Sequence, residues 1–384
     1  MKNFIKLSSL VSVLFVAMYC LVGCSDDDTE PQFTGESKQF ELFSQSNPAI
    51  SGIVTFATRD DGATLITIQL SGTSSGGNHP AHIHANTAAE GGGILIDLTS
   101  VDGASGRSET VVTALNDGTP VTYEELINDL DGYINVHLSP SDLATIIAQG
   151  DFGRNELTST SKTYKLNAVS NSAISGTAKF TKRVSGEALV SIALAGTTSG
   201  VSAPAHIHLN NVVQGGGIAV DLTPVNGATG KSETSISELN DGTSINYDGL
   251  LDFNGYINVH ESANNLPTII AQGNIGANEI SYNVTNSGAS NYIFNGGNLT
   301  NASNPALTFK RGRTYIFNLN ASGHPFLIKT VQVAGSTNTY NDGVTNNGAA
   351  NGIITFTVPA NAPNTLYYIC QLHPSMTGAL TITD

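Results

Sequence analysis

The stretch Tyr367-Tyr368-Ile369-Cys370-Gln371-Leu372-His373-Pro374-Ser375-Met376 decides the reading of the last third of the chain. Tyr367 to Cys370 reads as a strand, and Gly378 to Thr383 as the strand that ends the sequence. The heptapeptide between them is a loop with the pattern Cys-x2-His-x2-Met. Upstream, Leu307 and Phe309, then Tyr315, Phe317 and Leu319, then Ile354, Phe356 and Val358 alternate with polar residues. That period of two marks strands with one buried face. A second histidine stands in Gly323-His324-Pro325-Phe326, between two of these runs. The pattern predicts a β-sandwich over residues 281–384 with the heptapeptide at one end.

One thiolate, two imidazoles and one thioether are the donor set of a type 1, or blue, copper site. Soft sulfur favours copper, and a weak axial thioether tunes the potential. The expected ligands are His324, Cys370, His373 and Met376. Taken singly, a buried Cys or a Met beside a His is ordinary core packing; zinc, or no metal at all, are the alternatives. The arrangement resembles the small cupredoxins of the plastocyanin and amicyanin type, with the loop spacing of the latter. The resemblance covers the third domain and implies a Greek-key sandwich holding one copper ion.

Upstream of that domain the chain repeats itself. Pro80-Ala81-His82-Ile83-His84 returns 124 residues later as Pro204-Ala205-His206-Ile207-His208. Gly91-Gly92-Gly93-Ile94 returns as Gly215-Gly216-Gly217-Ile218, and Leu115-Asn116-Asp117-Gly118-Thr119 as Leu239-Asn240-Asp241-Gly242-Thr243. Gly132-Tyr133-Ile134-Asn135-Val136-His137 returns as Gly255-Tyr256-Ile257-Asn258-Val259-His260, now 123 residues on. The two copies span 37–155 and 160–278. Ile66, Ile68 and Leu70 alternate with polar residues, as do Val190, Ile192 and Leu194. The Asn-Asp-Gly triplets are turn signals. Residues 123–130 and 247–251 read as short helical turns. The whole chain is therefore expected to be all-β, built as three β-sandwich domains.

Each copy resembles the CHRD domain, named after chordin, in its Pro-x-His-x-His strand, its Gly-rich turn and its Gly-Tyr-x-Asn-Val-His segment. The family's closing Ile-Arg-Gly-Gln stands here as Ile147-Ala148-Gln149-Gly150 and Ile270-Ala271-Gln272-Gly273, without the Arg. That family implies no defined biochemical activity.

Residues two apart on a strand share a face. His82 therefore projects beside His84, and His206 beside His208. A third imidazole from a paired strand, His137 or His260, would complete a copper or zinc site in each copy. The alternative is a set of hydrogen-bonded histidines at the sandwich edge. The pattern is faintly similar to the copper half of Cu,Zn superoxide dismutase. That enzyme's bridging histidine, further zinc ligands and disulfide have no counterpart here, so no dismutase activity is carried over.

The amino terminus reads as a targeting segment. Lys2 and Lys6 precede an apolar run from Leu10 to Leu21, too short for a membrane span and suited to a signal peptide over 1–23. Leu21-Val22-Gly23-Cys24 resembles a bacterial lipobox, which makes Cys24 the expected lipidation site and first mature residue. Residues 24–36 would be a tether. Its Ser25-Asp26-Asp27-Asp28 resembles the surface-export signals of Bacteroidota lipoproteins. The expected location is the outer membrane, at the cell surface or facing the periplasm, held to the bilayer by lipid. Of three cysteines, Cys20 leaves with the leader and Cys24 takes lipid, so Cys370 is a lone thiol in a compartment that favours disulfides. A lone thiol there is either buried and inert or held by a metal.

A net charge of −15 argues against nucleic acid as a partner. Gly72-Thr73-Ser74-Ser75-Gly76 fits the nucleophile-elbow pattern, but no helix pattern follows, and the copy has Thr198 at the serine position. Gly230-Lys231-Ser232 lacks the upstream glycine of a phosphate loop, since Val225 stands there. Asp97 and Asp221, Glu109 and Glu233 are repeated carboxylates without an assigned acid–base role. No stand-alone enzyme is expected. The expected function is electron transfer with an unidentified redox partner. The alternatives are a copper-scavenging or an adhesive surface lipoprotein without redox turnover.

Overall fold

The structure, a computed structural model, describes residues 33–171 and 173–384. The expected signal peptide and Cys24 lie outside the described residues. The chain is all-β, with three separate hydrophobic cores. Among the described residues, no helix is long and apolar enough to cross a membrane.

In the first repeat, β1 (Phe33–Ser44), β2 (Ser51–Arg59), β3 (Thr64–Ser71), β4 (Asn78–Ala85), β5 (Ile94–Asp102), β6 (Arg107–Val112), β7 (Gly132–Ser139) and β8 (Asp142–Asp151) form one sheet. Its order is β1-β2-β3-β6-β5-β4-β7-β8, and it closes on itself. The second repeat uses β9 (Leu157–Ala168), β10 (Ser175–Arg183), β11 (Ala188–Ala195), β12 (Ser202–Leu209), β13 (Ile218–Asn226), β14 (Lys231–Ile236), β15 (Asn254–Ser262) and β16 (Asn265–Gly276) in the same circular order. The alternation read from sequence falls where expected. In β3, Ile66, Ile68 and Leu70 are buried and their neighbours are not. Gly118 and Gly242 take positive φ in the Asn-Asp-Gly turns. Glu125–Asp129 forms a single wide helical turn, and Tyr247–Asp252 a short α-helix.

The sandwich expected for each repeat is thus realised as a closed ring. The reason lies in the long first strand, which changes partner along its length. In β1, Leu42 pairs with Gly52 of β2, whereas Phe43 and Ser44 pair with Gln149 and Ala148 of β8. Gly150 makes this approach possible: a Cβ there would stand 2.2 Å from the Glu41 carbonyl oxygen. Gly273 plays the same part against Lys165. Closure leaves no free sheet edge, the usual liability of β-proteins.

The third unit comprises β17 (Glu279–Ser287), β18 (Asn291–Gly296), β19 (Leu299–Ser303), β20 (Leu307–Lys310), β21 (Thr314–Asn320), β22 (Phe326–Lys329), β23 (Val344–Thr345), β24 (Asn351–Thr357), β25 (Thr365–Cys370) and β26 (Thr377–Thr383). They form two sheets, β19-β18-β17-β21-β24-β23 and β20-β26-β25-β22. β17 runs parallel to β21, and β20 parallel to β26. Aromatic side chains fill the space between the sheets, with Phe326 stacked on Tyr368 at 5.2 Å between ring centroids.

The three units are joined by side chains at equivalent positions. Asp151 accepts the Ala88 N–H and receives Arg183 from the second ring at 2.6 Å. Arg183 is wholly buried and also donates to the Asn155 carbonyl and to Ser235 Oγ. In the second repeat Asn274 replaces Asp151. Asn274 accepts the Val212 N–H and donates to Gly312 O and Thr314 Oγ1 of the third unit. Asn155 and Asn278 brace both joints alike, each donating to two backbone carbonyls of its own ring.

Candidate metal centres

Three clusters of metal-ligating side chains occur among the described residues: His324 with Cys370 and His373, and one histidine triad in each ring. In each cluster the donor atoms lie within 4.8 Å of one another.

The first cluster is assembled by β22 and β25. Phe326 pairs with Cys370, and the Gln371 N–H donates to the Pro325 carbonyl, which brings the His324 turn against the heptapeptide. His324 Nδ1 and His373 Nδ1 are 3.1 Å apart. Cys370 Sγ stands 3.9 Å from the former and 3.5 Å from the latter. The loop folds back on itself, with the Cys370 N–H donating to the Met376 carbonyl and the Met376 N–H to that of His373. The Leu372 N–H points at Cys370 Sγ at 3.4 Å. The His324 carbonyl accepts from the Tyr292 hydroxyl at 2.7 Å, and Tyr292 in turn packs edge-on against Phe326. Cys370 and Met376 are fully buried, whereas His324 and His373 are partly exposed. All four residues singled out from sequence are thus on one loop and the adjoining turn. Their chemistry fits copper: a buried cysteine sulfur, two nitrogen donors and a thioether.

The two triads lie on the outer faces of the rings. In β4, Ala81 and Ile83 point into the core, which turns His82 and His84 outward. β7 pairs with β4 and brings His137 to the same face. His82 Nδ1 is 3.0 Å from His137 Nε2. The opposite ring nitrogens are occupied. His84 Nδ1 faces the Gly92 carbonyl at 3.0 Å, and His137 Nδ1 faces that of Leu143 at 2.6 Å. Tyr133 stacks on His84. The second ring repeats this arrangement. His206 Nδ1 is 3.0 Å from His260 Nε2, His208 Nδ1 faces Gly216 O, His260 Nδ1 faces Leu266 O, and Tyr256 stacks on His208. Burial, reinforced by the neighbouring imidazole, holds His82 and His206 below the usual histidine value; burial does the same for His137 and His208.

Two residues left without a role by sequence reasoning belong here. Asp97 stands 3.7 Å from His82 Nε2, and Asp221 3.6 Å from His206 Nε2. Their repetition at the repeat spacing was the available signal. Glu109 and Glu233 lie elsewhere, beside Arg107 and Ser191. His79, the unrepeated histidine, is buried with Nδ1 on the Leu138 carbonyl.

No family model matches the sequence, and no curated protein matches it. Solved structures similar to part of the chain are of rusticyanin. One, described as a copper protein, is 18% identical with a TM-score of 0.21, over 28% of this chain and 80% of that one. Another, from Thiobacillus ferrooxidans, is 20% identical with a TM-score of 0.22 over the same shares.

Proposed function

We propose that the chain is a lipid-anchored cell-envelope copper protein whose type 1 site, at His324, Cys370, His373 and Met376, serves electron transfer. The observation that carries this reading is the convergence of one buried thiol and two imidazole Nδ1 atoms, with a buried methionine closing the same loop. Bound copper would supply a one-electron couple. The residues do the rest. Cys370 is fixed at the end of β25 with a backbone N–H directed at its sulfur. The interlocked Cys370–Met376 and His373–Met376 backbone bonds restrict rearrangement of the loop. His324 and His373 reach the surface and offer a short path to a docked partner. The CHRD-like rings carry the domain away from the anchor.

The test is the electrochemistry of the copper-loaded full chain. A reversible couple with fast exchange supports electron transfer. Tight Cu(I) retention with poor cycling supports the second reading, a copper-holding surface protein, which the two additional histidine clusters favour. Met376→Leu is expected to retain the visible colour of the wild type while moving the reduction potential, because the axial thioether binds weakly and acts as a tuning ligand. An unchanged potential on cyclic voltammetry would remove Met376 from the ligand set.

The anchor has its own test. Cys24→Ala is expected to abolish incorporation of a labelled fatty acid and to leave the protein soluble or unprocessed. Undiminished label in the variant would refute lipidation at Cys24.

A further inference from the structure

We propose that each ring carries its own three-imidazole site for a d-block cation, copper or zinc, formed by His82, His84 and His137 in the first and by His206, His208 and His260 in the second. The argument rests on where the ring protons must be. His84 Nδ1 and His137 Nδ1 each face a backbone carbonyl, which can only accept, so both nitrogens carry the proton. Their Nε2 atoms are then bare lone pairs. His82 Nε2 lies 3.7 Å from the Asp97 carboxylate, longer than a hydrogen bond but close enough for the negative charge to draw the imidazole proton to Nε2 and leave Nδ1 bare. Three lone pairs therefore converge on one point.

Left alone, this arrangement is unfavourable. His82 Nδ1 and His137 Nε2 would oppose two lone pairs at 3.0 Å. His84 Nε2 is shielded from solvent with no hydrogen-bond partner, and so is His208 Nε2 in the second ring. His208 is more than nine-tenths buried. Leaving such an atom unpaired costs on the order of 1–3 kcal/mol. Moving the His82 proton to Nδ1 relieves the pair but aims a lone pair at Asp97, and it still leaves His84 Nε2 without a donor. Protonating His137 fully would bury an imidazolium. A cation at the point of convergence satisfies all three nitrogens at once.

The dimensions agree. Tetrahedral coordination at about 2.0–2.1 Å places nitrogens roughly 3.3 Å apart, and the three donor atoms lie within 4.8 Å of one another. The carbonyls of Gly92 and Leu143 and the carboxylate of Asp97 fix tautomer and ring orientation, as outer-shell partners do in metal sites. His82 keeps 14% of its side chain exposed, which leaves an entry route and a position for a fourth ligand. Every one of these contacts recurs in the second ring, where the same residue types stand at the repeat spacing. Imidazole sites of this kind bind copper(II) more tightly than zinc(II).

The experiment uses the metal-free full chain with zinc(II) and, separately, copper(II), counting bound metal after gel filtration. His84→Ala and His208→Ala are each expected to lower the stoichiometry by one ion, and the double variant by two, whatever the Cys370 loop holds. Equal metal content in wild type and double variant overturns the proposal. Imidazole nitrogen NMR on the unmutated chain provides a test that does not depend on the variants folding. The expected result is Nδ1-protonated His84 and His137 with Nε2-protonated His82, and zinc-induced shifts at the three unprotonated nitrogens. A proton on His82 Nδ1, with no shift on adding zinc, would show a hydrogen-bonded cluster instead.

Discussion

Copper(II) added to the metal-free full chain is expected to give an intense blue or green absorption that Cys370→Ser removes completely. A metal-bound thiol is deprotonated, and a covalent thiolate–Cu(II) bond absorbs strongly in the visible. Imidazole and carboxylate ligands give only weak bands. Copper held by the ring triads would therefore not mimic the signal, and serine, a neutral hydroxyl, cannot replace soft sulfur. The substitution is sterically small at a fully buried position, so the fold of the third unit should persist. His324→Ala is expected to loosen copper without unfolding the domain, because His324 lies in a turn outside the strands and its side chain is partly exposed. The measurement is a visible titration with copper content determined in parallel. A colourless wild type at full occupancy would refute the thiolate ligand, and the electron-transfer reading would fall with it.

The second large effect is expected at the joint between the rings. Arg183→Met should destabilise the protein by about 3–5 kcal/mol, the range found when one partner of a buried ion pair is removed. Arg183 is wholly buried, and the Asp151 side chain is only 10% exposed. Without the guanidinium, Asp151 keeps the Ala88 N–H but loses its counter-charge. The Asn155 carbonyl and Ser235 hydroxyl lose a donor in the same substitution. Adding Asp151→Asn should restore much of the loss, since the second joint shows that asparagine can serve there with a neutral partner. Urea denaturation of the single and double variants provides the comparison. A single variant within about 1 kcal/mol of wild type would mean the joint adds little to folding, as for an exposed pair.

Much of this architecture was legible in the sequence because it is local. Period-two alternation placed β3 and β11, and the Asn-Asp-Gly triplets placed the turns that follow β6 and β14. The heptapeptide carried three of its four expected ligands within seven residues, and the repeat supplied two independent copies of each histidine pattern. What escaped was long-range. Ring closure depends on β1 changing partner between Leu42 and Phe43, for which Gly150 gives a hint only once Glu41 is known to lie against it. Asp97 and Asp221 looked like isolated carboxylates because their histidine partners sit on a neighbouring strand. Nothing in the sequence near Arg183 announces Asp151, 32 residues away, as its buried partner.

The difference between Asp151 and Asn274 also bears on how a chain with two near-copies of one module avoids assembling in the wrong order. Tandem modules of similar sequence are prone to docking with the wrong neighbour during folding. Here each junction has a distinct lock. A first ring set against the third unit would bring the Asp151 carboxylate, an acceptor, to the Gly312 carbonyl, another acceptor, in place of the Asn274 amide. A second ring set against another second ring would meet a buried Arg183 with no carboxylate to neutralise it. The correct order is the arrangement in which both buried groups find a partner, so mispairing is rejected by repulsion as well as by lost contacts. The carboxylate-to-amide change, matched by Arg183 at one junction and by Gly312 and Thr314 at the other, gives each module boundary its own address.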